Sequence, residues 1–282
     1  FWEIIGNSPN KNLLANNIYR SSTKTIRIKR HKSIHHWTHG IDKFPKGILN
    51  FKNLQRLYLG DCNVDFIPDG ICKLSNLKEF TCSSYDLKKR PKSIGKLEKL
   101  ISLNLNYCSL KKLPDSFANL KLLKILNLSG NNLKKLPDNF GNISLLKELY
   151  FSDNCLKSIP KSISELINLE VLDLSDNEIS HLKNIFSLIA LKKLNISSNK
   201  IKKLPQEIEK LQILESLKVN YNTICIEMDS GLSKLNKLRY MSFSRSEATP
   251  RLTRKEFINR NDINQYFKKI KRFPPPPPPP PP

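Results

Sequence analysis

Glycine is scarce in this sequence, and the short motifs of several enzyme classes are missing from it. Only nine of the 282 residues are glycine, and they never form the GxGxxG or GxxxxGK patterns of phosphate-binding loops. The GxSxG motif of hydrolases and the HExxH motif of metalloproteases are absent as well. These absences exclude the corresponding mechanisms, and we expect a chain that is not an enzyme and needs no cofactor.

Long apolar runs and paired cysteines are also lacking. No apolar run approaches the roughly 18 residues of a membrane-spanning helix, so no such helix is predicted. The six cysteines include no CxxC pair and no dense cluster near either end, whereas secreted repeat proteins often carry disulfide-rich caps. We therefore expect reduced thiols and a cytoplasmic location. The cysteines are Cys62, Cys72, Cys82, Cys108, Cys155 and Cys225.

Acidic residues are outnumbered by basic ones. The sequence has 48 Lys and Arg against 25 Asp and Glu, which gives a formal charge of +23. Such an excess occurs in proteins that bind nucleic acid, anionic membranes or acidic proteins. The location of the charge must decide between these classes, and it depends on how the chain is organised.

What the sequence has in abundance is leucine at a fixed period. Leu126 and Leu149 begin two copies of one pattern, 23 residues apart, and each copy contains one asparagine at a set offset. A period in the twenties with these features is typical of a stacked repeat protein. If the first apolar residue of each copy is position 1, ten copies start at Ile34, Leu57, Phe80, Leu103, Leu126, Leu149, Leu172, Leu194, Leu217 and Met241.

The alternation at the start of each copy predicts one short β-strand, with positions 1 and 3 inward and positions 2 and 4 outward. One repeat cannot bury its apolar side alone, so neighbouring repeats must stack into a continuous core. Ten parallel strands would form a concave sheet about 43 Å long. Bulkier Pro-x-x-Ile-x-x-Leu turns, such as Pro160–Leu166, would occupy the convex side and bend the stack into an arc.

Asparagine recurs at position 6, where its amide can close a backbone turn and link to the next repeat. These residues are Asn131, Asn154, Asn177, Asn199 and Asn222, with Cys62 and Cys108 in the equivalent place of two other repeats. The repeat Leu172–Lys193 lacks a proline after Leu182, which favours a regular helical turn at Lys183–Leu188.

The two ends are expected to cap the stack. Residues 1–31 would form an N-terminal cap of one or two short helices that includes Trp2 and Ile5, followed by repeats over 32–247. A capping box, Thr253-x-x-Glu256, predicts a helix through Phe257 in a C-terminal cap at 248–272. The first residue is Phe and the tail at 273–282 is nearly all proline, so we expect a chain cut from a longer protein.

Four histidines lie near the start of the repeats, at His31, His35, His36 and His39. Their spacing is compatible with a metal site. On a strand, however, His35 and His36 point to opposite sides, and no nearby cysteine or carboxylate pair completes a ligand set. We expect a partly buried capping repeat and no metal.

These repeats resemble the intracellular leucine-rich repeats of the LPxxIxxL type, and the resemblance covers roughly 32–247. Leu113-Pro114, Leu136-Pro137, Ile159-Pro160 and Leu204-Pro205 carry it. Similar arrays occur in Ras-pathway scaffold proteins, Roco-family kinases and bacterial proteins. The resemblance implies an α/β solenoid, a curved right-handed superhelix, that recognises another protein on its concave face. A small GTPase is one partner it implies, and the chain would serve in a scaffold, signalling or effector role.

With that geometry the concave face is more acidic than the whole chain. Its negative charges would therefore repel the phosphates of a nucleic acid lying in the arc. Its outward positions carry Asp61, Asp86, Asp153, Asp173, Asp176, Glu178 and Glu247 against Lys200, Lys218 and Arg245. We predict two candidate binding patches on this face, and a partner of basic character at the second. One has the aromatic residues Trp37, Tyr58 and Tyr107; the other has Tyr150, Asp153, Asp173 and Asp176, with Lys218 and Tyr221 further on. Each position is equally compatible with an ordinary solvated strand.

Lysines recur at positions 9 and 10 and would align along one edge of the sheet. They are Lys88, Lys89, Lys111, Lys112, Lys134, Lys135, Lys157, Lys202 and Lys203, here called the lysine edge. Two readings stay open: a solvated edge that keeps the sheet soluble, or a surface for phosphates of nucleic acid or anionic lipid. A third possibility is that the array regulates an enzyme domain, such as a kinase, GTPase or ligase, outside this chain.

The tail has two interpretations. A proline run adopts a polyproline II helix, which is either a rigid spacer or a ligand for aromatic grooves. Phe273, Pro274, Pro275, Pro276 and Pro277 resemble the FPPPP ligand of EVH1 domains, although the preceding residues are basic. The sequence favours a linker, with binding to an EVH1, SH3 or profilin-type domain as the alternative.

Overall fold

The computed structural model describes residues 2–5, 24–29, 44–60, 64, 66–84, 92–222, 231–243 and 255–257. Within these ranges twelve strands form one curved, open sheet in chain order. Strands β1 to β11 are parallel and β12 is antiparallel to β11. The strands are β1 Trp2–Ile5, β2 Thr25–Lys29, β3 Arg56–Gly60, β4 Glu79–Cys82, β5 Ser102–Asn104, β6 Ile125–Asn127, β7 Glu148–Tyr150, β8 Val171–Asp173, β9 Lys193–Asn195, β10 Ser216–Lys218, β11 Tyr240–Phe243 and β12 Lys255–Phe257.

The predicted repeat register is confirmed from Leu57 to Met241. Position 1 of each strand pairs with position 1 of the next, as Leu126 does with Leu149 and Leu149 with Leu172. All these residues are buried, at 2% exposure or less. The inward leucines therefore form one apolar spine through the stack.

The predicted start of the first repeat, Ile34, was wrong. Ile26, and not Ile34, lies beside Leu57 in the sheet, and Ile26 is 1% exposed. The prediction assumed a constant period, whereas 31 residues separate Ile26 from Leu57. The histidines at 31–39 lie outside the described residues.

Strands occupy both positions where the sequence suggested capping helices. Trp2–Ile5 pairs with Thr25–Lys29, and Lys255–Phe257 pairs with Tyr240–Phe243. An added strand satisfies backbone groups that the last repeat of an open sheet leaves unpaired. The remainder of both predicted caps, and the whole polyproline tail, lie outside the described residues.

The convex side is built from short 3₁₀ turns. Most follow a proline: Pro114, Pro160 and Pro205 each precede a turn of five residues. The expected helical turn near Lys183 is also a 3₁₀ turn, Ile185–Ser187, preceded by Asn184 with φ of 77°. The described turns are Lys46–Asn50, Asp69–Lys73, Ile94–Lys96, Asp115–Asn119, Phe140–Asn142, Lys161–Glu165, Ile185–Ser187, Gln206–Lys210 and Gly231–Lys234. None of the helices in these ranges is long and apolar enough to span a membrane.

The position-6 asparagines close their turns as expected, but their side-chain amides link to the preceding repeat, whereas the backbone N of Asn131, Asn154 and Asn177 donates to the next one. Asn154 Nδ2 donates to Leu128 O of the preceding repeat at 3.0 Å, and Oδ1 accepts from Leu133 N at 3.0 Å. Asn131, Asn177, Asn199 and Asn222 repeat this arrangement. Cys108 makes the bond that corresponds to the asparagine Nδ2 bond: its Sγ donates to Cys82 O of the preceding repeat at 3.1 Å. These hydrogen bonds form a ladder that connects each repeat to the preceding one just after its strand.

Candidate functional site

The second predicted patch lies at the middle of the concave face, on β7 and β8. We call Glu148, Tyr150, Asp153, Asp173 and Asp176 the acidic patch. Tyr150 and Asp173 are paired neighbours in the sheet, and Asp153 and Asp176 follow the same two strands. Because adjacent strands lie ~4.8 Å apart, Glu148 and Asp173 lie next to Tyr150, and Asp153 and Asp176 lie three residues further along, on the turns that follow the two strands.

Tyr150 is partly buried and its hydroxyl is held within the patch. Its Oη donates to Glu148 Oε2 at 2.8 Å. Burial, the hydrogen bond to Glu148 and the negative charges of Glu148 and Asp173 raise the pKa of Tyr150 to about 12. The ring therefore stays neutral at physiological pH and presents an amphipathic surface between the carboxylates.

Asp173 is anchored by the fold. Its Oδ1 accepts from the backbone N and the hydroxyl of Ser175 at 2.9 and 2.7 Å, and its Oδ2 accepts from Asn195 Nδ2 at 3.1 Å. Asn104, Asn127 and Asn195 bond the backbone N two residues on in the same way. Asp173 thus continues a row of asparagines and adds a negative charge to it.

Asp153 and Asp176 are exposed, and both occupy the left-handed backbone region, with φ of 54° and 53°. Their backbone N atoms donate to Ser175 O and Ser197 O of the following repeat. Aspartate tolerates this conformation better than most residues. The backbone therefore fixes the positions from which these two side chains project from the sheet.

Only Tyr58 and Tyr107 of the first predicted patch lie in the part of the chain that the structure describes, and they are on different strands, so the patch stays a prediction. Trp37 lies outside the described residues. Tyr58 on β3 bonds Glu79 and has Arg27 4.8 Å from its ring centroid. Tyr107 is not within a strand but follows the end of β5, two strands away from Tyr58, and it is 40% exposed.

The cluster around Tyr58 is a network of opposite charges. Arg56 Nε lies 2.9 Å from Glu79 Oε1. Burial alone would raise the pKa of Glu79, but hydrogen bonds from Tyr58 and Arg56 outweigh it and lower that pKa. With Arg27 included, the network carries more positive than negative charge, in contrast to the acidic patch.

Lys218 and Tyr221 lie at the C-terminal side of the acidic patch. Lys218 on β10 has its Nζ 5.9 Å from the centroid of the Tyr240 ring. Tyr221 follows β10 in the left-handed region and is 57% exposed. One strand, β9, lies between them and Asp173, so they border the acidic patch and do not enter it.

The predicted lysine edge is exposed at every position that the structure describes. Lys111, Lys112, Lys134, Lys135, Lys157, Lys202 and Lys203 are exposed, whereas Lys88 and Lys89 lie outside the described residues. In the repeat that starts at Leu172 the edge positions are Ser180 and His181. Glu178 lies near the edge on the concave side: a hydrogen bond from Lys200 and its charge lower the pKa of Glu178, and Lys157 and Lys134 add to the effect. Phosphate binding along this edge stays a prediction.

One outward position was missed by the sequence analysis. The residue just before position 1 belongs to the strand and faces the concave side, which adds Glu79, Glu148, Arg56 and Lys193 to the surface. The same alternation, extended one residue backward, would have identified them. Among the described residues, no group of three or more His, Cys, Asp or Glu is arranged to hold a metal.

A parallel sheet of stacked turns with an asparagine ladder defines the class of protein as a repeat solenoid. The model of the leucine-rich repeat region matches residues 81–180 and 169–256, and the model of the single leucine-rich repeat matches 53–74. The chain therefore belongs to the leucine-rich repeat family. This family is a common protein–protein interaction module and generally a non-catalytic scaffold.

Solved structures share the fold at low sequence identity. The ectodomain of the Arabidopsis thaliana receptor kinase GASSHO1/SCHENGEN3, in complex with CASPARIAN STRIP INTEGRITY FACTOR 2, is 23% identical over 77% of this chain, with a TM-score of 0.67. An internalin of Listeria monocytogenes is 20% identical over 80% of this chain and 68% of its own, with a TM-score of 0.62. A TDR receptor is 21% identical over 86% of this chain and 45% of its own, with a TM-score of 0.69.

These likenesses establish the fold alone. This chain spans 26% of the GASSHO1/SCHENGEN3 ectodomain, so the activity of that whole protein is not carried over. No curated protein matches the sequence.

Proposed function

We propose that this chain is a non-enzymatic binding module whose acidic patch takes up a basic segment of a partner protein. The observation that carries the proposal is that two adjacent strands and the turns after them carry four acids, Glu148, Asp153, Asp173 and Asp176, beside Tyr150, on a chain whose formal charge is +23. Four carboxylates on neighbouring strands repel one another, and this repulsion is relieved when cations dock between them. Tyr150 adds apolar contact area, which is favoured where binding energy concentrates.

The geometry favours a partner that presents lysine or arginine from a protruding segment. Asp173 is held by Ser175 and Asn195, so its carboxylate is oriented before the partner arrives, and preorganisation reduces the entropic cost of binding. The basic residues Lys193 and Lys218 on the next strands would repel a cation placed there, which sets one boundary of the footprint.

In the cell we place this module in the cytoplasm, as an LPxxIxxL-type component of a scaffold or of a signalling or effector protein. The free thiols of Cys72, Cys108 and Cys155 support a reducing compartment. A small GTPase with a basic surface is one partner that fits the chemistry of the acidic patch.

The test is affinity capture from native cell lysate at low and moderate salt, with the partner identified by mass spectrometry. The double variant Asp173→Lys, Asp176→Lys reverses the charge of the patch and is expected to lose the partner. The matched control is Glu165→Lys, Glu207→Lys, which makes the same charge change on exposed acids of the convex turns.

Retention of the partner by the control and its loss from the patch variant support the proposal. Equal capture by the wild-type chain and the patch variant, with both folded by circular dichroism, would exclude it.

A further inference from the structure

Four large aliphatic side chains are exposed in consecutive repeats, on the turns that precede β6 to β9. They are Leu122, Leu145, Ile167 and Ile189, and their exposed fractions are 46%, 41%, 57% and 63%. The strands that follow them are paired in register, so Leu122 aligns with Leu145, Ile167 aligns with Ile189 one residue earlier in the turn, and the four side chains form a row across two neighbouring turn positions. We call them the apolar stripe.

The fold does not require apolar residues at these positions. Asn76 and Asn168 occupy the same turn position as Leu122 and Leu145, and Ser75 and Ser144 occupy that of Ile167 and Ile189. The adjacent core leucines, such as Leu123 and Leu146, are fully buried in every case. The stripe therefore adds exposed apolar surface without contributing to the core, and contiguous apolar surface of this kind marks interaction sites.

Lysines border the apolar stripe along its length. Lys121, Lys124, Lys147 and Lys192 are exposed on the same turns and at the strand starts. The acid among them, Glu170, is bound by Lys147 at 3.0 Å and by Lys192 at 2.7 Å. Its charge is thus shared between two lysines, and the border is positive overall.

We propose that the apolar stripe binds an acidic amphipathic helix of another protein. Strands repeat every ~4.8 Å and helical turns every 5.4 Å, so a helix lying along the stack would present about one side chain per turn to each repeat. Apolar anchors spaced three or four residues apart would contact the four aliphatic residues. Glutamate or aspartate beside the anchors would meet Lys121, Lys124 and Lys147.

The shape of the stripe favours a helix over a membrane. The stripe is two neighbouring turn positions wide and four repeats long, and polar residues such as Ser144 and Asn168 lie directly beside it. A bilayer would need a broader apolar face. The apolar stripe lies on the turns before the strands, whereas the acidic patch lies on the outward face of the strands, so the two sites are separate. The binding of a helix to the stripe therefore does not depend on the proposed function.

The probe is a synthetic, stapled helical peptide of about 15 residues, with one leucine per turn and glutamate on both sides, labelled for fluorescence anisotropy. It is titrated with the full chain and with Leu145→Asn, Ile167→Ser, which places residues found at the same positions of other repeats. The matched control is Ile125→Ser. Ile125 is 37% exposed on the concave face, and Ser102 and Ser216 hold the equivalent position.

The expected result is saturable binding by the wild-type chain and by Ile125→Ser, with affinity at least about tenfold weaker for Leu145→Asn, Ile167→Ser. A peptide with glutamine in place of glutamate is expected to bind more weakly and with less dependence on salt. Equal affinity of the stripe variant and the wild type overturns the proposal, as does the absence of saturable binding. Stripe-dependent binding to vesicles of phosphatidylcholine and phosphatidylserine without binding to the peptide would also overturn it, in favour of a membrane.

Discussion

The ring of Tyr107 lies directly against the backbone of Gly130 in the following repeat. A Cβ atom built on Gly130 would stand 2.2 Å from Tyr107 Cδ1 and 2.4 Å from Cε1, and the φ of Gly130 is 67°. Both the contact and the backbone conformation thus require glycine at this position. The pair connects two repeats on the concave face, beside the acidic patch.

Gly130→Ala is expected to lower the free energy of unfolding by about 2–4 kcal/mol, because a left-handed conformation and a steric clash act together. Urea denaturation followed by circular dichroism measures the loss. Adding Tyr107→Ala removes the clash but not the backbone strain, so the double variant should recover part of the stability that Gly130→Ala loses. If the single variant is as stable as the wild type, the close contact does not exist in solution.

Asn154 tests the contribution of the asparagine ladder. Asn154→Ala removes the hydrogen bonds to Leu128 O at 3.0 Å and from Leu133 N at 3.0 Å; Leu128 O keeps the bond from Asn131 Nδ2, but the buried Leu133 N loses its acceptor. We expect a loss of about 2–4 kcal/mol in the free energy of unfolding, measured by urea denaturation. Asn154→Cys should lose less, because Cys108 retains a bond to the preceding repeat in the equivalent position. Equal losses for alanine and cysteine would contradict this account.

The interior repeats could be predicted from the sequence because each strand has a neighbour on both sides. Leu103 and Leu149 are fixed by packing against identical positions, so a period in the sequence translates directly into register. At the first repeat this constraint is weaker, and Ile26 replaces Ile34 across a longer connection. Phe257 fits a helical stripe in sequence, yet it pairs as an edge strand beside Met241.

The acidic patch was predicted in part, for a similar reason. Tyr150 and Asp173 follow from the alternation of each strand. The inclusion of Glu148 depends on where the strand begins, and strand boundaries are poorly marked in sequence. The left-handed backbone at Asp153 and Asp176 depends on the turn that the next asparagine closes, which no local pattern at these residues encodes.

The pKa of Tyr150 gives a pH-dependent prediction. Burial and the hydrogen bond to Glu148 raise this pKa to about 12 from an ordinary value of 10.0. Because the folded-state pKa exceeds the unfolded one, the contribution of Tyr150 to stability is complete below about pH 10 and is lost as the pH rises toward 12. The stability difference between the wild type and Tyr150→Phe, followed by urea denaturation, should therefore change across this range.

Glu148→Gln supplies the control for that titration. It removes the negative charge beside the tyrosine hydroxyl, so the pKa of Tyr150 should fall toward its ordinary value. Ultraviolet difference spectra of tyrosinate formation, with Tyr150→Phe to assign the signal, measure the pKa directly. A titration midpoint unaffected by Glu148→Gln would show that the Tyr150–Glu148 hydrogen bond does not form.

Asp173 allows the binding role of the acidic patch to be separated from its structural role. Asp173→Asn keeps an oxygen that accepts from Ser175 N, as Asn127 and Asn195 do in their repeats, and it removes the charge. We expect the free energy of unfolding to change by less than about 0.5 kcal/mol, while capture of the basic partner weakens. Asp173→Ala removes the charge and the hydrogen bonds together, and should lower stability by about 1 kcal/mol as well.

The comparison of these two variants decides what the carboxylate contributes. Urea denaturation gives the stability of each, and capture from lysate at low salt gives the binding. If Asp173→Asn binds as the wild type does and only Asp173→Ala loses the partner, the charge is irrelevant and the residue acts through the shape of the turn. If both lose the partner while only the alanine variant is destabilised, the negative charge of Asp173 itself recruits the basic segment, because Asp173→Asn keeps the acceptor for Ser175 N and gives up only the charge and the bond from Asn195 Nδ2.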